Sequence, residues 1–520
     1  MRVYAIHGAP PEVQAYALAK YSRSAQTMQA SIDELSTQRA EQFLSTFYFQ
    51  YGHRSIADLA HVTLAIEDIS ILAAFQVTDE PLWDGQSRSS RYQDFRKNGF
   101  YIPPLLIGTT NEQKYLDALN HLLTVYESVS AGLVDVLKQV QPCPSDMTPA
   151  TYTRTLKARA LDVARYLLPL ATRTSIGQVT SARVIEQQIS RLTGNSLEEL
   201  QAVGSAMRTA CQDIAENFVA NKLTEYWASS NLPMEEIAKQ REALVTAGVL
   251  DVHAAPTLVK YTNPDSYSPA VFARVRPLLQ PFLDHLPAAP SQESSVMLHG
   301  PEGDIARATV LSLAYLITPV GHSYAQLAEM VEQIPQQVCE EIFTATFTDR
   351  GPHDDLLRLH RTGYQFLFDI LVDFGSMRDL HRHRRCVQLV PELKTSLGYE
   401  RAADVFQAGL GEAGAAAALA QGITEHYDTA LATALEVAQT FPQQEYMPYL
   451  LPLGIRQRAL FKMDFAEAAY IIDQRTTVTG HFSYRRIAYA MYTEIVKRYP
   501  YLAATLRVTN PYAVIDLLKR

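Results

Sequence analysis

The stretch GHRSIADLAHVTLAIEDISILAAFQVTDEPLWDGQSRSSRY, residues 52–92, decides the fold. It opens on a His-x-Ser pair, His53 and Ser55. Val62, Leu64 and Ile66 then alternate with polar or small residues, which is the period of a half-buried strand. Ile69, Leu72, Ala73 and Gln76 follow at the spacing of a helical turn. The stretch closes on Ser89-Ser90-Arg91-Tyr92, where two hydroxyls and a guanidinium stand close enough to grip a phosphate. Taken alone, that cluster reads as an ordinary polar turn, and only its place after the strand gives the phosphate reading weight.

The chain has 520 residues, generous for one domain and natural for about two to four. With 47% apolar and 19% charged residues it can bury real cores. Its formal charge of −9 argues against general nucleic-acid binding and leaves room for a local cationic pocket. Cys143, Cys211, Cys339 and Cys386 are scattered without metal spacing, so no metal site is expected and the thiols read as free, in a cytoplasmic setting. The N-terminus lacks the pattern of a signal peptide, and no apolar run reaches membrane-spanning length.

Along the chain, a short strand is expected at 1–8 and helices at 11–22 and 28–51. Gly99 to Pro103 reads as extended, and helical patterns fill 111–140, 149–168, 181–192 and 196–226. The segment LPAAPSQESS, 286–295, has the composition of a linker. After it the chain repeats itself. His299-Gly300 echoes His7-Gly8, and Tyr364, Phe366, Phe368 and Ile370 alternate as Val62, Leu64 and Ile66 do. Leu451-Pro452-Leu453 repeats Leu168-Pro169-Leu170, and TLRVTNP near the end loosely repeats TLVKYTNP. This predicts two diverged copies of one domain, at 1–285 and 296–520.

In order and spacing, residues 52–92 resemble the flavin-dependent thymidylate synthases, whose signature runs His-x-Ser/Thr, a strand, Arg-His-Arg, then Ser-x-Arg-Tyr. Here Asp79-Glu80-Pro81 occupies the place of the triplet, and the triplet stands in the second copy as Arg382-His383-Arg384. The resemblance implies an α+β fold: two similar helix-rich domains, each with a small, mostly antiparallel sheet. It implies that Gln76, Ser89, Ser90, Arg91 and Arg165 hold a pyrimidine nucleotide. Arg165 lies in ARYLLPL, which resembles the family's Ala-Arg-x-x-Leu-Pro-Leu. His53, Ser55, Ser181, Arg183, Arg382, His383 and Arg384 would face flavin, although Ser181 replaces the family's asparagine. Arg378 and Asp379 stand where the family has Arg-Gln, and Arg475 where it has an arginine that polarises the pyrimidine ring, the catalytic role.

The losses are complementary. The second copy has Glu392, Lys394 and Thr395 where Ser, Arg and Tyr belong, and Pro448 in place of Arg165. The first has Leu192 where Arg475 stands. The activity implied is reductive methylation of deoxyuridine monophosphate (dUMP) to dTMP, with FAD as cofactor and methylenetetrahydrofolate and NADPH as cosubstrates. It would take place in a homodimer of fused chains forming a pseudo-tetramer. The reading kept beside it is a catalytically degenerate flavin- or nucleotide-binding paralogue with a structural or regulatory role. A nucleic-acid contact through the basic run 378–385 is disfavoured by the overall acidity.

Overall fold

A computed structural model describes residues 8–21, 54–90, 93–283, 295–301, 303–317, 323–348, 350, 356–357, 360, 365–513 and 517–518. The expected strand at 1–8 and the linker at 286–295, each but for its last residue, and the helices at 28–51 lie outside them. By its contacts the chain forms two compact units, Met1–Arg88 with Arg173–Ala288, and Ser89–Thr172 with Ala289–Arg520. Residues Ser89–Thr172, which a division at 286–295 leaves with the first copy, therefore pack with the second.

In the first unit β1 (His61–Ser70), β2 (Asp84–Ser87) and β3 (Arg173–Ser181) form an antiparallel sheet in the order β1-β3-β2. Val62, Leu64 and Ile66 turn inward from β1 and share a core with Ile185, Ile189, Leu192 and Leu200. Two strands pass straight into helices because their last residues are good caps. The Ser70 hydroxyl accepts from Ala73 N at the start of Ile71–Val77, and Ser181 accepts from Val184 N at the start of Ala182–Thr193. The helix expected at 196–226 is two, Glu198–Gln212 and Phe218–Ser229. Ala215 N donates to Val252 O, which takes the backbone out of the helix. Asn217 then starts the next helix by accepting from Val219 N and Ala220 N.

The second unit repeats this plan. Its sheet runs β4 (Val296–His299), β5 (Phe366–Asp373), β7 (Arg456–Met463) and β6 (Val387–Leu389), all pairs antiparallel. Asp373 caps helix Phe374–Leu380 as Ser70 caps its counterpart, and Asp464 caps Phe465–Arg475 as Ser181 does. Register agrees as well: Ser70 pairs with Arg173, and Asp373 with Arg456, so each strand-ending cap lies opposite the first residue of its partner strand. β1 departs from β5 by a bulge between Ile66 and Ile69, where Asp68 has a φ of 57°. Beyond it Val62, Leu64 and Ile66 occupy the places of Phe366, Phe368 and Ile370, all three fully buried. The fold is α+β, with two similar strand-and-helix plans.

Helices Thr110–Val140, Pro149–Ala164, Ala402–Ala420 and Ile423–Thr440 pack together in the second unit. The alanine-rich helix is broken at Gly411, whose φ of 74° suits glycine. Where each hairpin of helices ends, the Leu-Pro-Leu turns meet. Leu170 N donates to Leu451 O at 2.8 Å, and Leu453 N to Leu168 O at 2.8 Å. Ala171 N reaches Tyr449 O at 3.0 Å while Gly454 N reaches Tyr166 O at 2.9 Å. The four leucines are fully buried, and Pro169 faces Pro452, so neither missing N–H leaves a gap in the exchange.

Two measurements probe this packing. A Cβ at Gly409 would run into Val163 Cγ2 on the neighbouring helix. Gly409→Ala should cost roughly 1–3 kcal/mol in urea unfolding through overpacking. His360 is fully buried beside Phe343 and Phe347, and burial, then the charge of Arg350, pushes its pKa from 6.5 to about 4. The unfolded chain then binds the proton more readily, so stability should fall by roughly 3 kcal/mol as pH drops from 6.5 towards 4. His360→Phe should flatten that part of the profile, since Thr346 Oγ1 keeps its bond to Phe343 O.

Candidate functional site: an arginine cluster around Asp379

Because Asp373 both ends β5 and caps the next helix, the residues that follow are held tightly to the sheet end. Its Oδ1 accepts from Ser376 N at 2.6 Å and its other oxygen accepts from Ser483 Oγ. The helix so fixed carries Arg378 and Asp379 in its last turn, and the triplet lies just beyond it. Arg165 comes to the same place from the opposite direction, at the start of the 3-10 turn that follows Pro149–Ala164.

Asp379 lies between two guanidiniums. Its Oδ2 is 3.7 Å from Arg165 Nη2 and its Oδ1 is 3.5 Å from Arg382 Nη2. Arg165 is only 6% exposed, and its Nε and Nη2 make no hydrogen bond among the described residues. Arg378 belongs to the same group: burial pulls its pKa down to about 10, Asp379 opposes this, and Arg165 and Arg382 add to it. It remains charged at neutral pH, and Asp379 is the carboxylate that pairs with both Arg165 and Arg382, with Asp162 and Asp373 adding to the charge around Arg165.

His383 makes the second arrangement. Arg475 Nε, which can only donate, reaches His383 Nε2 at 2.7 Å, so that nitrogen accepts and the imidazole proton sits on Nδ1. Nδ1 faces Glu467 Oε1 at 3.7 Å. Burial lowers the His383 pKa, Glu467 opposes it and Arg475 reinforces it, which keeps the ring neutral. The Arg475 guanidinium also lies over the Tyr484 ring at 5.4 Å. Behind both arrangements burial raises the Asp373 carboxyl, and burial together with Asp373 pushes Glu400 up to about 7.

The first unit holds the counterpart in altered form. Glu80 stands at the spacing from Ser70 that His383 has from Asp373, and it receives Arg191 Nε at 3.0 Å and Nη2 at 2.8 Å. A carboxylate–guanidinium pair thus replaces the imidazole–guanidinium pair. In this unit Ser181 is the helix cap, Arg183 pairs with Asp58 Oδ2 at 2.6 Å, Gln76 is half-buried near its helix end and Ser55 is exposed. Of the expected site residues, the second unit thus brings together Arg165 and Arg382 about Asp379, and His383 with Arg475. Arg384 is half-buried beside them in sequence, Ser89 is exposed and Ser90 half-buried. His53 and Arg91 lie outside the described residues. Sequence reading passed over Glu467 and Glu80–Arg191; the reversed charge at Glu80 was the available sign of the latter.

The strand-to-helix plan is thus present twice, and in the second unit it gathers arginines and an imidazole at the sheet end. The model of the thymidylate synthase complementing protein family, Thy1, matches residues 6–216 and 362–501, more than half of the chain, and the chain belongs to that family. It is similar over nearly its whole length to proteins called UPF0159. Identity is 26% with one from Chlamydia muridarum, over 99% of this chain and 93% of that one. It is 23% with one from Chlamydia pneumoniae, with the same coverage, and 21% with one from Thermoplasma acidophilum, over 92% and 90%. A crystal structure of flavin-dependent thymidylate synthase ThyX from Helicobacter pylori, complexed with FAD and dUMP, aligns with 41% of this chain and all of its own at 13% identity and a TM-score of 0.28. Among the described residues no helix is long and apolar enough to cross a membrane.

A buried guanidinium with unmet donors is costly to the fold. Yet burial, which lowers the Arg165 pKa, is outweighed by Asp379, Tyr166, Asp162 and Asp373, which hold it up, so the charge is net favoured in the fold. Arg165→Met should lower the stability read by thermal melting by about 1–3 kcal/mol, because Asp379 loses one of its two guanidiniums.

Proposed function

We propose that the chain is an FAD-dependent thymidylate synthase-like enzyme that methylates dUMP reductively to dTMP, with methylenetetrahydrofolate and NADPH as cosubstrates. The observation that carries this reading is Arg165, buried with two unused donors beside Asp379 and Arg382. Such donors fit a phosphate or pyrophosphate oxygen, which can accept in more than one direction. The residues present suit the flavin in the same sense: Arg382 is about half exposed, with its side chain at 52%, and can meet a pyrophosphate without a large desolvation cost. Bound flavin would supply hydride transfer, which no side chain provides.

The family resemblance supports the roles of the chain's own residues. Among residues assigned to the second unit, Arg165, Ser89, Ser90 and Arg91 would bind a nucleotide and Arg382, His383 and Arg384 would hold flavin; among those of the first, Gln76 would serve a nucleotide and His53, Ser55, Ser181 and Arg183 a flavin. Arg475 would act on the pyrimidine ring, its Nε oriented by the neutral His383 and its face by Tyr484. Two chains would pair as a pseudo-tetramer, in a reducing cytoplasm that suits four free cysteines. One observation favours a second reading, a degenerate flavin- or nucleotide-binding paralogue: the first unit has closed its counterpart of the His383–Arg475 couple with Glu80 and Arg191.

The absorbance spectrum of the purified protein, with and without added FAD, separates these. A yellow protein bleached by NADPH supports the enzyme, and a colourless one with no affinity for dUMP sinks it. Arg382→Ala should release flavin, and Arg91→Ala should weaken dUMP binding with flavin largely retained, by ~2–5 kcal/mol where the phosphate loses a charged hydrogen-bond partner. Equilibrium dialysis with each ligand reads both.

A further inference from the structure

Asp379 stands where the family resemblance leads one to expect an uncharged glutamine, and its surroundings give that change a use. Each of its carboxylate oxygens faces a different guanidinium, Oδ2 towards Arg165 and Oδ1 towards Arg382. Both separations, 3.7 and 3.5 Å, exceed ordinary N–H···O distances. The carboxylate therefore offsets charge without consuming the donors, and Arg165 keeps Nε and Nη2 unused while its side chain is only 7% exposed. Asp379 and Arg382 are reachable from solvent, their side chains 21% and 52% exposed, and Arg165 Nε and Nη2 are themselves fully buried. An anion entering along that side would approach the arginines and meet the carboxylate's charge at once.

We propose that Asp379 is the resident counter-ion of the Arg165, Arg378 and Arg382 cluster, and that a ligand's phosphate group must displace it to take the donors of Arg165. Asp379 thereby sets how tightly this site holds phosphate. The inference rests on the reading that a phosphate-bearing ligand comes to this unit, either a nucleotide monophosphate or the diphosphate of a flavin cofactor. The shared chemistry is a phosphate anion against guanidinium, and the repulsion between two anions a few ångströms apart at a half-buried site is what the substitution relieves.

The test compares the full-length protein with Asp379→Asn, which keeps shape and removes charge. Dissociation constants are measured by calorimetry for inorganic phosphate, dUMP, FAD and deoxyuridine, beside thermal melts with and without phosphate. The variant should melt lower without ligand, because Arg165 and Arg382 lose the carboxylate between them. It should bind phosphate about tenfold or more tightly, with deoxyuridine unchanged. Tightening of dUMP but not FAD assigns the site to the nucleotide; tightening of FAD but not dUMP assigns it to the flavin. A lower melt with phosphate affinity unchanged or weakened overturns the proposal and leaves Asp379 a structural ion-pair partner. If phosphate tightens while neither dUMP nor FAD binds either protein, the counter-ion role stands and the proposed function fails. If dUMP and FAD bind both proteins equally, the function stands and the counter-ion role fails. A variant that folds only in phosphate supports the role, and one that folds in neither condition overturns it.

Discussion

Leu168 and Leu453 with Leu451 and Leu170 exchange backbone hydrogen bonds at the meeting of the two Leu-Pro-Leu turns, and the adjoining pair, Tyr166 with Gly454 and Tyr449 with Ala171, repeats the exchange one step out. In a fully buried seam each of these amides would be expensive to leave unpaired. The reciprocity means that neither turn can shift without breaking bonds on both sides. Arg165 directly precedes Tyr166, so its depth is set by the seam rather than by its own contacts. On the far side, Phe374 N bonds Ile455 O and Gly375 N bonds Leu453 O, which ties the helix bearing Asp379 to the same seam. An arginine from one copy and a carboxylate from the other thus face each other because the backbone between them is closed.

This placement separates the cost of the site from its use. A salt bridge at hydrogen-bonding distance would satisfy Arg165 and leave nothing for a ligand. Here the ion pair is long and the donors are unmet, while Asp379, Tyr166, Asp162 and Asp373 together outweigh burial and hold the arginine charged where the seam places it. The His383–Arg475 contact works the other way: a neutral imidazole accepts from the guanidinium and orients it without cancelling its charge.

Much of this was legible in the sequence, and what was not has a physical cause. Val62, Leu64 and Ile66, matched to Phe366, Phe368 and Ile370, carry a period-two pattern that depends only on which face is buried. The Leu-Pro-Leu repeat announced itself, as did the displaced triplet. The membership of helices Thr110–Val140 and Pro149–Ala164 in the second unit did not, because an apolar stripe states that a helix needs a partner and not which one. The service of Asp379 to both Arg165 and Arg382 was hidden for the same reason, since one of the two arginines is remote in sequence. Asn217 and the Ala215–Val252 bond, which split one expected helix into two, show a local cap and a distant carbonyl together overriding helical propensity.

The pair Glu80–Arg191 bears on the history open to this chain. Converting the first unit back to the arrangement of the second would need an imidazole at position 80 and a guanidinium at position 192. Histidine alone would strand the charge of Arg191 beside a ring in a partly buried place. Arginine alone at the fully buried Leu192 would put a second cation next to the first. Each single step passes through a less stable protein, so the change acts as a ratchet. With Glu80 and Arg191 paired, no single substitution makes the two units interchangeable, and stability alone is enough to hold the asymmetry apart from activity.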